Sequence, residues 1–177
     1  LPNTVTTIGD FTFHRCLSLT SITLPNSITT IGEHAFSYCK SLTSVLLPNT
    51  ITTIGNNAFR CSSLTSITLL NSITTIDMYT FYGCKSLKSI ILPDSITTIE
   101  NSAFENCKSL TNIILPDSIT TIGEYAFYDC SSLTSITLPH SITTIGNCAF
   151  PPKCVVSRKP LALAQSCKHM HKKQKCS

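Results

Sequence analysis

The most constraining feature of this sequence is a phrase of 23 residues that returns along most of the chain. Its copies begin at Leu1, Leu24, Leu47, Leu69, Leu92, Leu115 and Leu138. The third copy is one residue shorter, and its spacing places the missing residue between Phe59 and Cys61. All repeated positions that follow are displaced by the same one residue, as tandem duplication predicts. Internal repetition therefore decides the architecture.

A period of 23 residues falls within the range of about 20–29 that is typical of leucine-rich repeats. Each copy contains the segment Leu-x-x-Ile-x-Leu, as at Leu19, Ile22 and Leu24. Apolar and outward-facing positions alternate at the end of this segment, which indicates a half-buried strand. The proline after most of these strands lacks an N–H group and ends the ladder. Ala35 and Phe36 indicate a short helical or 3₁₀ turn on the outer side. The sequence therefore predicts an α/β solenoid whose stacked copies share one core.

The chain divides into a predicted solenoid at 1–150, with six full units and a partial seventh, and a basic cysteine-containing tail at 151–177. The solenoid carries six basic residues against all nine acids, a net charge of −3, and the tail carries seven basic residues and no acid, a net charge of +7. Pro151 and Pro152 end the repeat, and we expect a poorly structured tail. The chain opens at Leu1 in mid-pattern without an initiator Met, which favours a fragment or a processed product.

The hydropathy and charge of the sequence bear on whether the chain contacts a membrane or a nucleic acid. The sequence has no run of about 18 apolar residues, so we expect no membrane span. The basic tail could contact phosphates or anionic lipid. Nothing in it resembles a nucleic-acid-binding module, so we favour a solvated tail and expect no nucleic-acid partner.

The repeated phrase reads roughly LPxSVTxIGxxAFxxCxSLTSI and resembles the BspA-like class of leucine-rich repeats. The resemblance covers residues 1–150, about 85% of the chain, in seven copies. It implies a right-handed solenoid with a parallel sheet on its concave face. It also implies an extracellular or cell-surface location, because members occur on surface proteins of bacteria and protists and some act in adhesion to host or extracellular proteins. The resemblance implies no catalytic residue and does not extend to the tail.

The residues that flank the buried Ile of each longer strand are expected to point out of the concave face, and we call these twelve residues the concave stripe. They are Ser21, Thr23, Ser44, Leu46, Ser66, Thr68, Ser89, Ile91, Asn112, Ile114, Ser135 and Thr137. One interpretation is that they are merely solvated positions that favour β-structure. The interpretation we prefer is an uncharged stripe that binds a protein partner through many weak repeated contacts, with three aliphatic side chains as apolar points.

A second candidate surface surrounds the Phe of each copy, where the copies differ most. Tyrosines cluster there, at Tyr38, Tyr79, Tyr82, Tyr125 and Tyr128. Tyrosine is common in interfaces. Sequence variation on a solvent-exposed face explains the same pattern, and that interpretation is preferred.

The cysteines form two groups. Six recur once per copy and are expected to stack as buried free thiols, at Cys16, Cys39, Cys61, Cys84, Cys107 and Cys130. The others lie in or beside the tail, where Cys167, His169, His171 and Cys176 are residue types that zinc accepts. Their spacing matches no common zinc finger, so tail disulfides and an unstructured tail are preferred to zinc, and we predict no metal and no cofactor.

The preferred function is therefore a non-enzymatic module that binds a protein, such as an extracellular-matrix or host surface protein. An ice-binding or purely structural threonine-ladder solenoid is the alternative. Catalysis is not expected, because the five histidines are scattered at His14, His34, His140, His169 and His171. The solenoid ends carry no evident cap in the sequence, which leaves end-to-end self-association open.

Overall fold

The computed structural model describes residues 1–160, which wind into seven coils of a parallel β-solenoid, one coil for each copy of the repeat. The two-residue strands are β1 (Thr7–Ile8), β3 (Thr30–Ile31), β5 (Thr53–Ile54), β7 (Thr75–Ile76), β9 (Thr98–Ile99), β10 (Thr121–Ile122) and β12 (Thr144–Ile145). The longer strands are β2 (Ser21–Thr23), β4 (Ser44–Leu46), β6 (Ser66–Thr68), β8 (Ser89–Ile91), β11 (Ser135–Leu138) and β13 (Val155–Arg158).

Strand pairing between copies joins residues at the same position of the repeat, always in parallel. Thr7 lies opposite Thr30, and Thr23 lies opposite Leu46. The short strands form one sheet of β1, β3 and β5 and a second of β7, β9, β10 and β12, while the longer strands pair as β2–β4, β6–β8 and β11–β13. The short-strand ladder thus breaks between β5 and β7, directly after the shortened third coil.

The outer side of each coil is a hydrogen-bonded turn around the Phe, and the predicted helical or 3₁₀ turns are wrong. Residues 1–160 contain no helix, so the α/β class is corrected to a β-solenoid. In the second coil the N–H groups of His34, Phe36 and Tyr38 donate to carbonyl oxygens of the third coil at 3.0, 2.7 and 2.7 Å. A helix would use such N–H groups within its own coil. The turn instead forms a third ladder of hydrogen bonds between coils, in addition to those of the short and the longer strands.

This turn requires a left-handed backbone two residues before and two residues after the Phe. His34 and Tyr38 have φ angles of 55° and 58°, and twelve non-glycine residues of the described chain have a positive φ. The left-handed region costs an L-residue roughly 1–2 kcal/mol. The hydrogen bonds between coils offset that cost. Because the residues concerned are mostly bulky or polar and not glycine, the sequence carried no sign of this backbone.

The core is a set of continuous columns, one for each inward position of the repeat. Ile, Leu and Phe at these positions are buried throughout the middle coils. The Phe rings stack nearly parallel from Phe13 to Phe150, with centroids 5.1–5.9 Å apart between neighbouring coils. Each ring therefore packs against the coil above and the coil below. The predicted shared core is confirmed.

Four of the six predicted ladder cysteines are buried free thiols, Cys39, Cys84, Cys107 and Cys130. The prediction is wrong for Cys16, which is exposed because no earlier coil covers it. Each buried Sγ donates to the carbonyl oxygen of the Phe in the preceding coil at 3.0–3.1 Å. Burial raises the pKa of Cys39 to about 11 and that of Cys84 to about 12. The ladder thus consists of neutral thiols that fill small core sites and satisfy carbonyl groups.

The third coil departs from the prediction, because Cys61 does not lie in this ladder. Ser62 takes the ladder position, with 3% exposure and its Oγ 3.4 Å from Cys84 Sγ. Cys61 has a φ of 54° and occupies the left-handed position that Tyr38 has in the second coil. The missing residue is therefore in the turn after the ladder position, before Leu64, and not between Phe59 and Cys61.

The Phe-turn ladder explains this register. The N–H groups of Phe59 and Cys61 donate to carbonyl oxygens of the fourth coil at 3.0 and 2.7 Å, as their equivalents do elsewhere. Shortening the chain before Cys61 would have broken these bonds. The turn that follows the ladder position makes few bonds between coils, so it absorbs the loss at smaller cost.

The solenoid continues beyond residue 150, where the sequence analysis ended it. Strand β13 pairs with β11, so that Val155 lies opposite Ser135, and the Val155 N–H donates to the Thr134 carbonyl oxygen at 2.8 Å. The half-buried Cys154 packs against the core. The first part of the predicted tail thus adds a strand, and the rest of that tail, residues 161–177, lies outside the described residues.

We predict that Phe81→Ala lowers the free energy of unfolding by about 3–5 kcal/mol, because it removes a fully buried ring from the middle of the stack. Ile114→Ala, at a largely exposed position outside the Phe turn, is the control and should change it by about 0.5 kcal/mol or less. Urea unfolding followed by circular dichroism measures both. Equal losses for the two variants would contradict a shared Phe column.

Alkaline pH should destabilise the fold through the buried thiols. In the unfolded chain a cysteine thiol has a pKa near the ordinary value of 9.0. In the folded chain burial raises the pKa of Cys39 to about 11 and that of Cys84 to about 12, so both thiols stay protonated to higher pH. Their contribution to the free energy of unfolding is therefore complete below pH 9. It is lost as the pH rises from 9 towards the pKa values of the folded chain. Each thiol contributes a slope of up to about 1.4 kcal/mol per pH unit.

Urea unfolding at pH 8, 9 and 10 under reducing conditions measures this slope. Cys84→Ala removes one titrating group and should flatten the decline, whatever its effect on stability at pH 8. An unchanged slope in Cys84→Ala would show that this thiol ionises equally in both states.

Candidate binding surface

All twelve residues of the concave stripe are exposed, and the residue between each flanking pair faces the core. In the fourth coil Ile90 is buried, whereas Ser89 and Ile91 on either side of it are exposed. Register alignment places serine opposite serine, as in Ser66 and Ser89, and so continues the two outward columns from coil to coil. The fifth-coil members, Asn112 and Ile114, lie outside any assigned strand and are exposed too.

Three aliphatic side chains stand on this stripe with most of their surface in solvent. Leu46 is 68% exposed, Ile91 63% and Ile114 74%. Ile91 and Ile114 belong to adjacent coils and form one apolar point, while Leu46 lies two coils earlier. Singly exposed leucines are common, but repeated ones on one face of a solenoid favour an interface.

Two recesses lie beside Leu46 and Ile114, which line one recess each. A groove of about 460 Å³ at the first coils is lined by Asn3, Thr23, Leu24, Pro25, Asn26, Leu46, Leu47, Pro48 and Asn49. A smaller recess of about 150 Å³ lies beside Ile114 and is lined in part by Ser135, Thr137 and Lys159. Each recess therefore combines an exposed aliphatic side chain with hydroxyl, amide or ammonium groups.

The asparagine rim of the groove, Asn3, Asn26 and Asn49, was not among the residues predicted from the sequence. The signal was available, since these residues follow the Leu-Pro of successive copies. Stacked side chains one coil apart offer amide donors and acceptors at a regular spacing of about 4.8 Å. Lys159 was also missed, and its Nζ lies 2.5 Å from Asp117 Oδ1.

The second candidate surface consists largely of aromatic side chains that pack on one another. Arg60 lies over the ring of Tyr82 at 4.7 Å and within 5.9 Å of the Tyr38 and Tyr79 rings. Tyr125 and Tyr128 are partly exposed and meet edge to face at 5.5 Å. Cation–π and ring contacts of this kind stabilise the side of the stack.

Two of the histidines that are scattered in the sequence, His14 and His34, lie next to each other in the first two coils. His14 and His34 pack edge to face at 6.1 Å, and His34 Nε2 lies 3.6 Å from the neighbouring Glu33 Oε1. Burial, with smaller contributions from Arg15 and His34, lowers the pKa of His14. Among residues 1–160, no three His, Cys, Asp or Glu side chains are grouped to hold a metal ion. The candidate zinc residues, Cys167, His169, His171 and Cys176, lie outside the described residues.

The same part of the chain holds no helix of the length and apolar character that a membrane crossing needs.

Comparison with known proteins places this geometry in a family. A family model described as BspA type leucine-rich repeat region matches residues 1–108 and 61–161, with six copies. Comparison with curated proteins gives no match.

Solved structures with the same fold include bacterial repeat proteins. A leucine-rich repeat protein of T. pallidum is 30% identical over 87% of this chain and 67% of its own, with a TM-score of 0.69. One from Bacteroides ovatus is 28% identical over 89% of this chain and 50% of its own, with a TM-score of 0.66.

A leucine-rich cell surface protein of Faecalibacterium prausnitzii is 26% identical over 82% of this chain and 54% of its own, with a TM-score of 0.50. This chain spans about half the length of the B. ovatus and F. prausnitzii proteins. The two ranges matched by the family model together cover all of the described residues, and the parallel coils and buried columns account for its repeated phrase. The chain therefore belongs to the BspA-type leucine-rich repeat family.

Proposed function

We propose that this chain is a non-enzymatic module that binds a protein through the concave stripe. The observation that carries the proposal is the exposure of Leu46, Ile91 and Ile114 on a stripe whose other nine residues have uncharged hydroxyl or amide side chains. Such a face gives a partner apolar contacts at its centre and hydrogen bonds around them. Because the contacts repeat from coil to coil, an extended segment of a partner could engage several coils at once.

The uncharged character of the stripe bears on how a partner would be recognised. None of the twelve stripe residues is charged, and Lys159 in the recess beside Ile114 is paired with Asp117, so association gains little from long-range steering. Affinity would then depend on the aliphatic side chains and on the asparagine rim of the groove. We infer a protein partner of the extracellular-matrix or host-surface class, and a cell-surface or extracellular location. A relative described as a cell surface protein supports this location.

The threonine ladder supports a structural role better than ice binding. Thr29, Thr52, Thr97, Thr120 and Thr143 each donate a hydroxyl hydrogen bond to the threonine carbonyl oxygen of the preceding coil at 3.2–3.3 Å. These hydroxyl groups therefore bridge coils and help to hold the stack together. Measurable thermal hysteresis in a solution of the chain would instead favour the ice-binding alternative.

We predict that the double substitution Ile91→Asp and Ile114→Asp weakens binding to a matrix protein at least about tenfold, because it places two charges in the apolar centre of the stripe. The matched control is Tyr125→Asp with Tyr128→Asp, two partly exposed residues of the second candidate surface. Surface binding of the full chain to a panel of immobilised extracellular-matrix proteins measures both variants.

Two outcomes would contradict the proposal. Absence of saturable binding to every protein of the panel would remove its basis. Loss of binding in the tyrosine variant, with binding retained in the isoleucine variant, would assign the interface to the second candidate surface. Circular dichroism of each variant shows whether the solenoid is still folded.

A further inference from the structure

The shortened third coil opens a notch in the side of the solenoid, away from the concave stripe. In the second and fourth coils two residues follow the ladder cysteine, Lys40 with Ser41 and Lys85 with Ser86, whereas Ser63 stands alone in the third coil. A cavity of about 410 Å³ lies where the missing residue would be. It is lined by Tyr38, Lys40, Cys61, Ser62, Ser63, Gly83, Lys85 and Ser86.

The floor of the notch is held in place by packing and hydrogen bonds. Ser63 Oγ donates to the Lys40 carbonyl oxygen at 2.5 Å, which ties the short turn to the second coil. Ser62 beneath it is buried against Cys84, and Leu64 remains fully buried after the turn. The recess is therefore part of the folded coil and does not come from a loosely packed loop.

Gly83 helps to keep the notch open. The equivalent position carries Arg, Tyr, Asn or Asp in four other coils, but in the fourth coil it has no side chain. A Cβ atom on Gly83 would lie 2.8 Å from Cys61 Sγ, which is closer than packed atoms allow. The displaced thiol of Cys61 and the glycine above it thus fit each other, and Cys61 lines the cavity.

The notch is flanked by two cations and has no acidic residue in its lining. Lys40 and Lys85 are exposed on opposite sides, two coils or about 10 Å apart along the stack. Neither forms an ion pair with a residue of the described chain, whereas Lys108, the equivalent residue of the fifth coil, pairs with Asp129 at 3.4 Å. Arg60 adds a third positive charge nearby, since its guanidinium lies 5.9 Å from the ring of Tyr38, which lines the notch. The local potential favours an anion.

We propose that this notch binds the phosphate or sulfate group of a monoester. A tetrahedral oxyanion can accept hydrogen bonds from the two lysine ammonium groups and from the Ser86 hydroxyl at the same time. The Tyr38 ring forms a wall against which the organic part of the ester can pack. This site is separate from the concave stripe and does not depend on the function proposed for it.

Cys61 provides a reporter for occupancy, because its thiol lines the notch. The experiment measures the alkylation rate of Cys61 by iodoacetamide in the full chain, by mass spectrometry of the cysteine-containing peptides. Phenyl phosphate and phenyl sulfate are the probes, and phenol is the uncharged control. The exposed Cys148 is the internal reference. We expect either ester to slow alkylation of Cys61 several-fold while Cys148 is unaffected, and the stronger protector identifies the preferred group.

Two variants test the geometry. Lys40→Gln with Lys85→Gln should weaken protection roughly tenfold, because it removes both cations, while Lys88→Gln, outside the notch, should leave protection unchanged. Insertion of one asparagine between Arg60 and Cys61 gives the third coil the length of the sixth. This insertion should move Cys61 into the buried ladder, fill the notch, and abolish both ester binding by calorimetry and Cys61 alkylation.

The proposal is overturned if neither ester slows alkylation of Cys61, or if phenol protects it equally. It is also overturned if the inserted residue leaves ester binding intact. Circular dichroism and urea unfolding confirm that each variant is folded, so that a loss of binding cannot be assigned to a loss of the solenoid.

Discussion

Hydrogen bonds between neighbouring coils are the constraint on which the rest of this structure depends. They run on three sides of each coil, at the longer strands, at the short Thr-Ile strands, and at the Phe turn. Side-chain hydroxyl and thiol groups add bonds in the same direction, as Thr120 and Cys130 do towards the coil before them. Each coil is therefore fixed in register by its neighbours, because one coil alone could bury neither its apolar side chains nor its polar backbone.

Register along the stack also explains how the third coil tolerates a missing residue. The Phe column and the Phe-turn ladder continue through this coil, with Phe59 stacked at 5.4 and 5.7 Å on its neighbours. The loss falls in the turn after Ser62, and the short-strand ladder breaks between β5 and β7. The missing residue thus changes the turn and the short-strand ladder but not the Phe column, and it leaves a recess in an otherwise regular surface.

Parallel stacking determines what the surfaces of the molecule can do. A position that points outward in one coil points outward in all of them, so single side chains become columns, such as the concave stripe and the asparagine rim. Columns of equivalent side chains can bind an extended partner along several coils. A pocket lined by different converging groups requires a coil that differs from its neighbours. The notch at Lys40 and Lys85 lies at such a coil.

The sequence by itself determined the number of coils, the buried Ile, Leu and Phe columns, and the outward direction of all twelve stripe residues, since side-chain periodicity reports which way a residue faces. Only the tertiary structure decided how the backbone is bonded. The left-handed His34 and Tyr38, the exchange of Cys61 for Ser62 in the thiol ladder, and the strand at Val155–Arg158 depend on N–H and carbonyl groups of the adjacent coil. Those groups are identical in every residue other than proline, so no pattern of side chains identifies their partners.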